Sequence, residues 1–221
     1  MKAFSKIMSL VLCALMFIQL PAAAKPDKYA QELYDIGIIY GTDKGFEPKK
    51  TLTRAEAIAV VVRLLGEEEN ATEQKYKEKF VDVPSKHWAF DYVMYSFDNE
   101  IAYGTSTNTF SPDSQIDAQQ FVALILRTMG YTDVNFENTM KAAVECQLFN
   151  SAVCAELDRK EFTRGDMFYI VYRCLRSKRS DGILMADYLA SKGVISQKKA
   201  NELDIYNNFD SIDELIENIM E

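Results

Sequence analysis

The chain has 221 residues, 48% of them hydrophobic and 26% charged, a globular composition long enough for one sizeable core or a compact array of small repeats. Its 33 acidic residues outnumber 25 basic ones for a net charge of −8, which argues against nucleic acid as a partner because phosphate binding requires clustered positive charge. One histidine and four cysteines, none at metal-ligand spacing, give no basis for a metal or other cofactor.

At the start of the chain Lys2 and Lys6 precede an apolar run from Ile7 to Leu20, followed by Pro21 and Ala22-Ala23-Ala24. Charge, apolar segment and small residues in that order read as a secretory leader. The run is shorter than the roughly 20 apolar residues of a spanning helix, and Gln19 and Pro21 close it. Cys13 follows bulky Leu12 inside the run, a poor context for lipidation. Residues 1–24 are therefore expected to be removed, leaving a mature chain that starts near Lys25 and is not inserted in a membrane. Losing Lys2 and Lys6 leaves 23 basic residues against 33 acidic ones, a net charge of −10, so capture of an anionic polymer has to rest on local basic pockets. Cys146, Cys154 and Cys174 remain, enough for at most one disulfide and one thiol.

Residues 27–66 read as a short helix, a turn-rich loop and a longer helix. Thr53 and Glu56 have the spacing of a capping box. Ala57, Ile58, Val61, Leu64 and Leu65 follow at helical spacing, and Gly66 supplies a left-handed stop. Residues 67–79, opening Glu67-Glu68-Glu69-Asn70-Ala71-Thr72-Glu73, read as a charged, solvated linker; Asn-Ala-Thr matches the glycosylation pattern.

The same order returns in residues 80–130. Gly37-Ile38-Ile39-Tyr40-Gly41-Thr42 reappears as Glu100-Ile101-Ala102-Tyr103-Gly104-Thr105, Phe46-Glu47-Pro48 as Phe110-Ser111-Pro112, and the helix Leu52 to Gly66 as Ile116 to Gly130. A third, weaker copy in residues 136–177 runs through Ala143 to Phe149 and Phe162-Thr163-Arg164-Gly165-Asp166, without the Phe-x-Pro turn. Arg63, Arg127 and Arg173 fall in one register. Asp117 with Gln120, and Thr163 with Asp166, repeat the helix-start signal. No unit can bury its apolar stripe alone, so the copies are expected to pack on one another. In residues 181–221, Leu189 and Gly193-Val194-Ile195 echo Leu33 and Gly37-Ile38-Ile39. Ser211 and Glu214 then open a final amphipathic helix with Ile212, Leu215, Ile216 and Ile219 on one side, read as docking on the module or recruiting a protein partner.

Phe80-Val81-Asp82-Val83-Pro84, His87-Trp88-Ala89, Tyr103-Gly104-Thr105, Phe110-Ser111-Pro112 and the helix ending Leu126-Arg127-Thr128-Met129-Gly130 together resemble one complete surface-layer-homology (SLH) repeat. Leu52-Thr53-Arg54-Ala55-Glu56 is similar to that family's most recognisable motif. The resemblance covers residues 27–177. It implies a mainly α module of three helix-loop-helix repeats about a pseudo-threefold axis, with C-terminal helices added. It also implies a secreted, wall-bound role, with grooves between repeats holding an anionic, often pyruvylated secondary cell-wall polysaccharide.

The residues themselves suggest where such a ligand is held. Arg54 and Arg164 stand in the first turn of their helices, where the macrodipole disfavours a cation; a guanidinium fork beside free helix-start N–H groups would make a carboxylate site. Lys49, Lys50 and Arg54 align with Arg159, Lys160 and Arg164, whereas the second copy has Asp113, Ser114 and Ala118. Copies one and three are therefore expected to bind and copy two to be disabled. Trp88 reads equally as a sugar-stacking surface or a packing anchor. Gly41 and Gly104 allow close backbone approach, either for a groove wall or for a turn. Arg63, Arg127 and Arg173, inside helices, read as partners of loop carbonyls or carboxylates.

The leading function is thus a non-catalytic cell-wall polysaccharide-binding module. A secreted scaffold whose decayed repeats bind a protein partner is the alternative. A two-carboxylate carbohydrate hydrolase fits less well, because no acidic pair stands out and the roughly 44 residues after the third copy are too few for a catalytic domain.

Overall fold

A computed structural model describes residues 28–135 and 137–205. The leader and the helix expected after Ser211 lie outside those residues. The described residues form ten helices: α1 (Lys28–Asp35), α2 (Arg54–Leu64), α3 (Glu68–Glu73), α4 (Phe90–Asp98), α5 (Ala118–Thr128), α6 (Thr139–Glu145), α7 (Ser151–Arg159), α8 (Arg164–Leu175), α9 (Met185–Ser191) and α10 (Gln197–Ile205). The fold is mainly α; among the described residues there are only isolated β-bridges and no helix long and apolar enough to cross a membrane.

The long helices α2, α5 and α8 begin where the sequence says they should. Thr53 accepts from the Glu56 amide while Glu56 reaches back, and Thr163 and Asp166 do the same. Asp117 accepts from the Gln120 amide. Gly66 (φ 71°) and Gly130 (φ 86°) end α2 and α5 in the left-handed region.

The short helices end alike too. Gly37, Glu100, Gln147 and Gly193 all have positive φ, and the next amide donates back over the turn each time: Ile38 to Leu33, Ile101 to Ser96, Leu148 to Ala143 and Val194 to Leu189. This is the helix stop closed by an αL residue. It occurs four times among the described residues, the fourth at Gly193 in the stretch whose sequence echoes Leu33 and Gly37-Ile38-Ile39.

The long helices form one apolar cluster: Ile58, Val61 and Leu64 of α2, Phe121, Ile125 and Leu126 of α5, and Phe168, Ile170 and Val171 of α8 are buried in it. In α2, Ala59, Val60 and Val62 are buried as well. A helix surrounded by neighbours is apolar all round, so the one-sided stripe read from its sequence understates its burial.

One expectation changes. The stretch read as a solvated linker contains α3, with Ala71 buried and Glu68 bonded to Arg63 at 2.9 Å; a carboxylate able to neutralise a half-buried arginine is held rather than solvated. In the third copy, α7 stands where the Phe-x-Pro turn is missing. Cys146, Cys154 and Cys174 are free thiols, and burial raises the pKa of each.

After α8 the chain straps across the ends of the long helices. The Ser180 amide donates to Met129 O at 2.9 Å and Arg179 Nη1 to Thr128 O at 3.3 Å, covering the end of α5. Lys192 Nζ reaches Glu67 at 3.3 Å beyond the end of α2, next to the contact of Val194 with Gly66.

Candidate functional site

The starts of α2 and α8 are each built against a loop of another copy. The amides of Arg54 and Ala55 donate to Ser114 O (2.9 Å) and Pro112 O (3.0 Å) in the second copy, and those of Arg164 and Gly165 to Lys50 O (2.7 Å) and Pro48 O (2.8 Å) in the first. Single bridges accompany them, Thr53 with Gln115 and Thr51 with Thr163. These helix-start N–H groups, expected to be free for an anion, are therefore satisfied by protein carbonyls. An unpaired amide at a packed joint would cost a lost hydrogen bond, which the loop carbonyls prevent.

The arginine side chains follow their amides across the joints. Arg54 donates from Nε to Phe110 O at 3.0 Å, from Nη1 to Gln120 Oε1 at 3.3 Å and from Nη2 to Tyr103 O at 3.1 Å. Its guanidinium lies 4.7 Å from the centroid of the Phe110 ring. Burial lowers its pKa, opposed by the charges of Asp117 and Asp82, and an arginine remains a cation throughout. Arg164, only 8% exposed, donates from Nε to Phe46 O at 2.9 Å, with Nη1 3.9 Å from Glu56.

Beside Arg54 a cleft of about 160 Å³ opens between α2 and the second copy. Ile58, Phe110, Ile116 and Leu124 supply apolar wall; Arg54, Arg127, Tyr103, Gln119 and Gln120 supply polar groups. Arg127 donates to Ile101 O at 3.3 Å and Val134 O at 3.0 Å and stacks 5.1 Å from the Tyr103 centroid. Burial lowers its pKa as well. Neither arginine has a carboxylate within 4.0 Å among the described residues. Asp82 is bonded to the amides of Phe110 and Ser111, and Asp117 to that of Gln120.

Of the candidate ligand residues named from sequence, only Arg54 lines this cleft. Arg164 is buried at the joint between the third and first copies. Lys50 is paired loosely with Glu47 at 4.0 Å, and Lys160 bonds Asp166 at 2.8 Å. Trp88 is 56% exposed, stacked on His87 and tilted against Tyr92, away from the cleft. Gly104 neighbours cleft-lining Tyr103, and a Cβ there would meet Ser106 O and Thr109 O at 2.5 Å; at Gly41 the nearest atom would be 3.8 Å away. Arg63 pairs with Glu68, and Arg173 donates to Leu148 O, the pairings expected of arginines inside helices. Arg127, Gln119 and Gln120 were not singled out as ligand residues. Gln120 left a trace in the sequence, an amide at the position where the other two copies carry an acid, and Arg127 left another in its register with Arg63 and Arg173.

Comparison with known proteins bears on the same region. The S-layer homology domain model matches residues 22–58 and 79–122, which contain both sides of the joint at Arg54 and most of the cleft. The middle cell wall protein of Brevibacillus brevis is 28% identical over 160 residues, 69% of this chain and 15% of that protein. The cell surface protein of Thermoanaerobacter kivui is 34% identical over 106 residues, 47% of this chain and 14% of its own length. A cellulosome-anchoring protein of Acetivibrio thermocellus is 32% identical over 79 residues, 36% of this chain and 18% of its own length. The chain thus spans less than a fifth of each of these relatives.

Proposed function

We propose, for a chain whose residues 22–58 and 79–122 are S-layer homology sequence, a secreted cell-surface anchoring module that holds an anionic wall polysaccharide through the cleft between its first and second copies. The observation that carries this reading is the presence of two arginines on one cleft, Arg54 and Arg127, each bonded to neutral oxygens and neither paired with a carboxylate. Arg54 uses three of the five N–H donors of its guanidinium, so two remain for a ligand. The carbonyls fix its position, and a preorganised fork loses little entropy on binding.

The volume sets the scale of what enters. A cleft of about 160 Å³ lies below the 300 Å³ or so at which pockets for drug-sized ligands begin. It suits one acidic substituent, a pyruvate ketal or a uronate carboxylate, with the adjoining sugar against apolar wall. Charged hydrogen bonds typically contribute about 1.5–3 kcal/mol, so removing Arg54 should weaken binding by about tenfold or more. Arg164, placed in a joint and facing Glu56, supports the module in this reading.

The test titrates purified wall polysaccharide, native and carboxyl-reduced, into wild type, Arg54→Ala and Arg127→Ala. Native polymer should bind wild type, carboxyl reduction should abolish most of that binding, and each substitution should weaken it about tenfold. Equal binding of native and reduced polymer, or unchanged affinity in both variants, overturns carboxylate capture. No binding by wild type would favour the scaffold reading, a protein partner in place of a glycan.

A further inference from the structure

The three helix starts differ at one corresponding pair of positions. The residue in the first turn of one helix faces the third residue of the helix in the next copy. Arg164 of the third copy faces Glu56 of the first at 3.9 Å, a cation answered by a carboxylate. Arg54 of the first copy faces Gln120 of the second at 3.3 Å, a cation answered by a neutral amide. By the same register Ala118 of the second copy corresponds to Asp166 of the third, a carboxylate without an arginine, and Asp166 is held instead by Lys160 at 2.8 Å. The joints therefore carry different charges although Thr53, Asp117 and Thr163 cap all three helix starts.

We propose that Gln120 is the specificity-determining residue of this module: a neutral side chain where the other copies carry an acid leaves Arg54 positive and confines anion capture to the joint between the first and second copies. The inference rests on the carboxylate-capture reading and adds how one site is selected. At the joint between the third and first copies, Glu56 already occupies the place a ligand carboxylate would take, and Arg164 is almost fully covered. At the remaining joint Ala118 offers no cation. The glutamine still gives Arg54 an oxygen to bond, so the guanidinium is positioned without being neutralised. An acid there would position it equally well and compete with the ligand for it.

Gln120→Glu tests this directly. The longer acid suits the third position of a helix capped by Asp117, and equivalent acids stand in α2 and α8, so the fold should tolerate it; a melting curve verifies that. Wall polysaccharide, native and carboxyl-reduced, is titrated into wild type, Gln120→Glu and Gln120→Ala. Gln120→Glu should melt at or above the wild-type temperature, lose tenfold or more in affinity for native polymer, and no longer distinguish native from reduced polymer. Gln120→Ala, which removes the bond to Arg54 without adding a charge, should lose less affinity than Gln120→Glu and keep the distinction between native and reduced polymer. Wild-type affinity in a folded Gln120→Glu overturns the role of Gln120 and leaves carboxylate capture standing. Loss in Gln120→Ala equal to that in Gln120→Glu also overturns it, since loss of the amide rather than added charge would then be responsible. Failure of wild type itself to prefer native polymer removes both.

Discussion

Replacing Gly104 by alanine should destabilise the protein strongly, whereas the same replacement at Gly41, its counterpart in the first copy, should not. A Cβ on Gly104 would lie 2.5 Å from Ser106 O, 2.5 Å from Thr109 O and 2.7 Å from Phe80 Cε1. Ordinary contacts begin near 3.4 Å, so each neighbour would have to retreat by the better part of an ångström. Two of them are backbone atoms of a turn tied by the bond from the Ser106 amide to Thr109 O, and the third belongs to a buried phenylalanine packed on Phe97 and Phe110. Forcing atoms into such a site typically costs 1–3 kcal/mol, and the rigidity of the neighbours places Gly104→Ala near 3. For a chain of this size that corresponds to a fall in Tm of roughly 6–12 °C. At Gly41 the closest atom is 3.8 Å away and φ is not positive, so alanine fits and restricts the unfolded chain, a gain of up to about 1 kcal/mol. Calorimetric melting of both variants beside wild type decides the matter. Equal shifts in the two would refute the claim that the second copy alone needs glycine for packing.

Val61→Asp places a charge where no side-chain surface is exposed and should cost several kcal/mol; a wild-type Tm would show that this face has been misplaced. Arg164→Ala strands Phe46 O and leaves Glu56 without its counter-charge, which should lower stability by about 1–3 kcal/mol, read as a drop in the urea midpoint. Glu100→Gly and Gln147→Gly remove side chains from left-handed backbone, with φ of 58° and 62°; each should raise Tm, by about 1 kcal/mol of stability, and a fall in both would contradict the assigned turn. Burial alone would raise the Glu68 carboxyl, but hydrogen bonds from Tyr92, Arg63 and Tyr40 hold it below its ordinary range. A depressed carboxyl gives stability that is present above its unfolded pKa of about 4.3 and lost as pH falls through the folded value. The Tm difference between wild type and Glu68→Gln should therefore be full at pH 7 and shrink below about pH 4; a constant difference down to pH 3 would refute it.

What could be read from the sequence was what neighbouring residues decide. Caps at Thr53, Asp117 and Thr163, glycine stops at Gly66 and Gly130, and the repeated short-helix ending all act within a few residues, so periodicity and spacing reveal them. The joints were hidden because Thr51 pairs with Thr163 and Thr53 with Gln115, partners far apart in the chain and without complementary signals. Basic residues near Arg54 and Arg164 suggested two equal sites. The difference lies in what each arginine meets across a joint, Gln120 or Glu56, and helix spacing within one copy carries no information about that. Trp88 was ambiguous for another reason: its exposure depends on how the loop of residues 80–89 lies on α4.

The strap also has a consequence for the order in which the molecule can form. Arg54 meets Phe110 over a separation of 56 residues, so the first two copies can join while the rest of the chain is still being made. The third copy returns to the first over a separation of 118 residues at Arg164 and Phe46, and Lys192 reaches Glu67 over 125. Loop closure of that length is slow, and contacts of high sequence separation delay folding. A chain synthesised from its N-terminus cannot complete these contacts until Arg164 and Lys192 have emerged. Until then the end of α2 and the loop at Pro48 stay open, so the third copy and the strap close the module last.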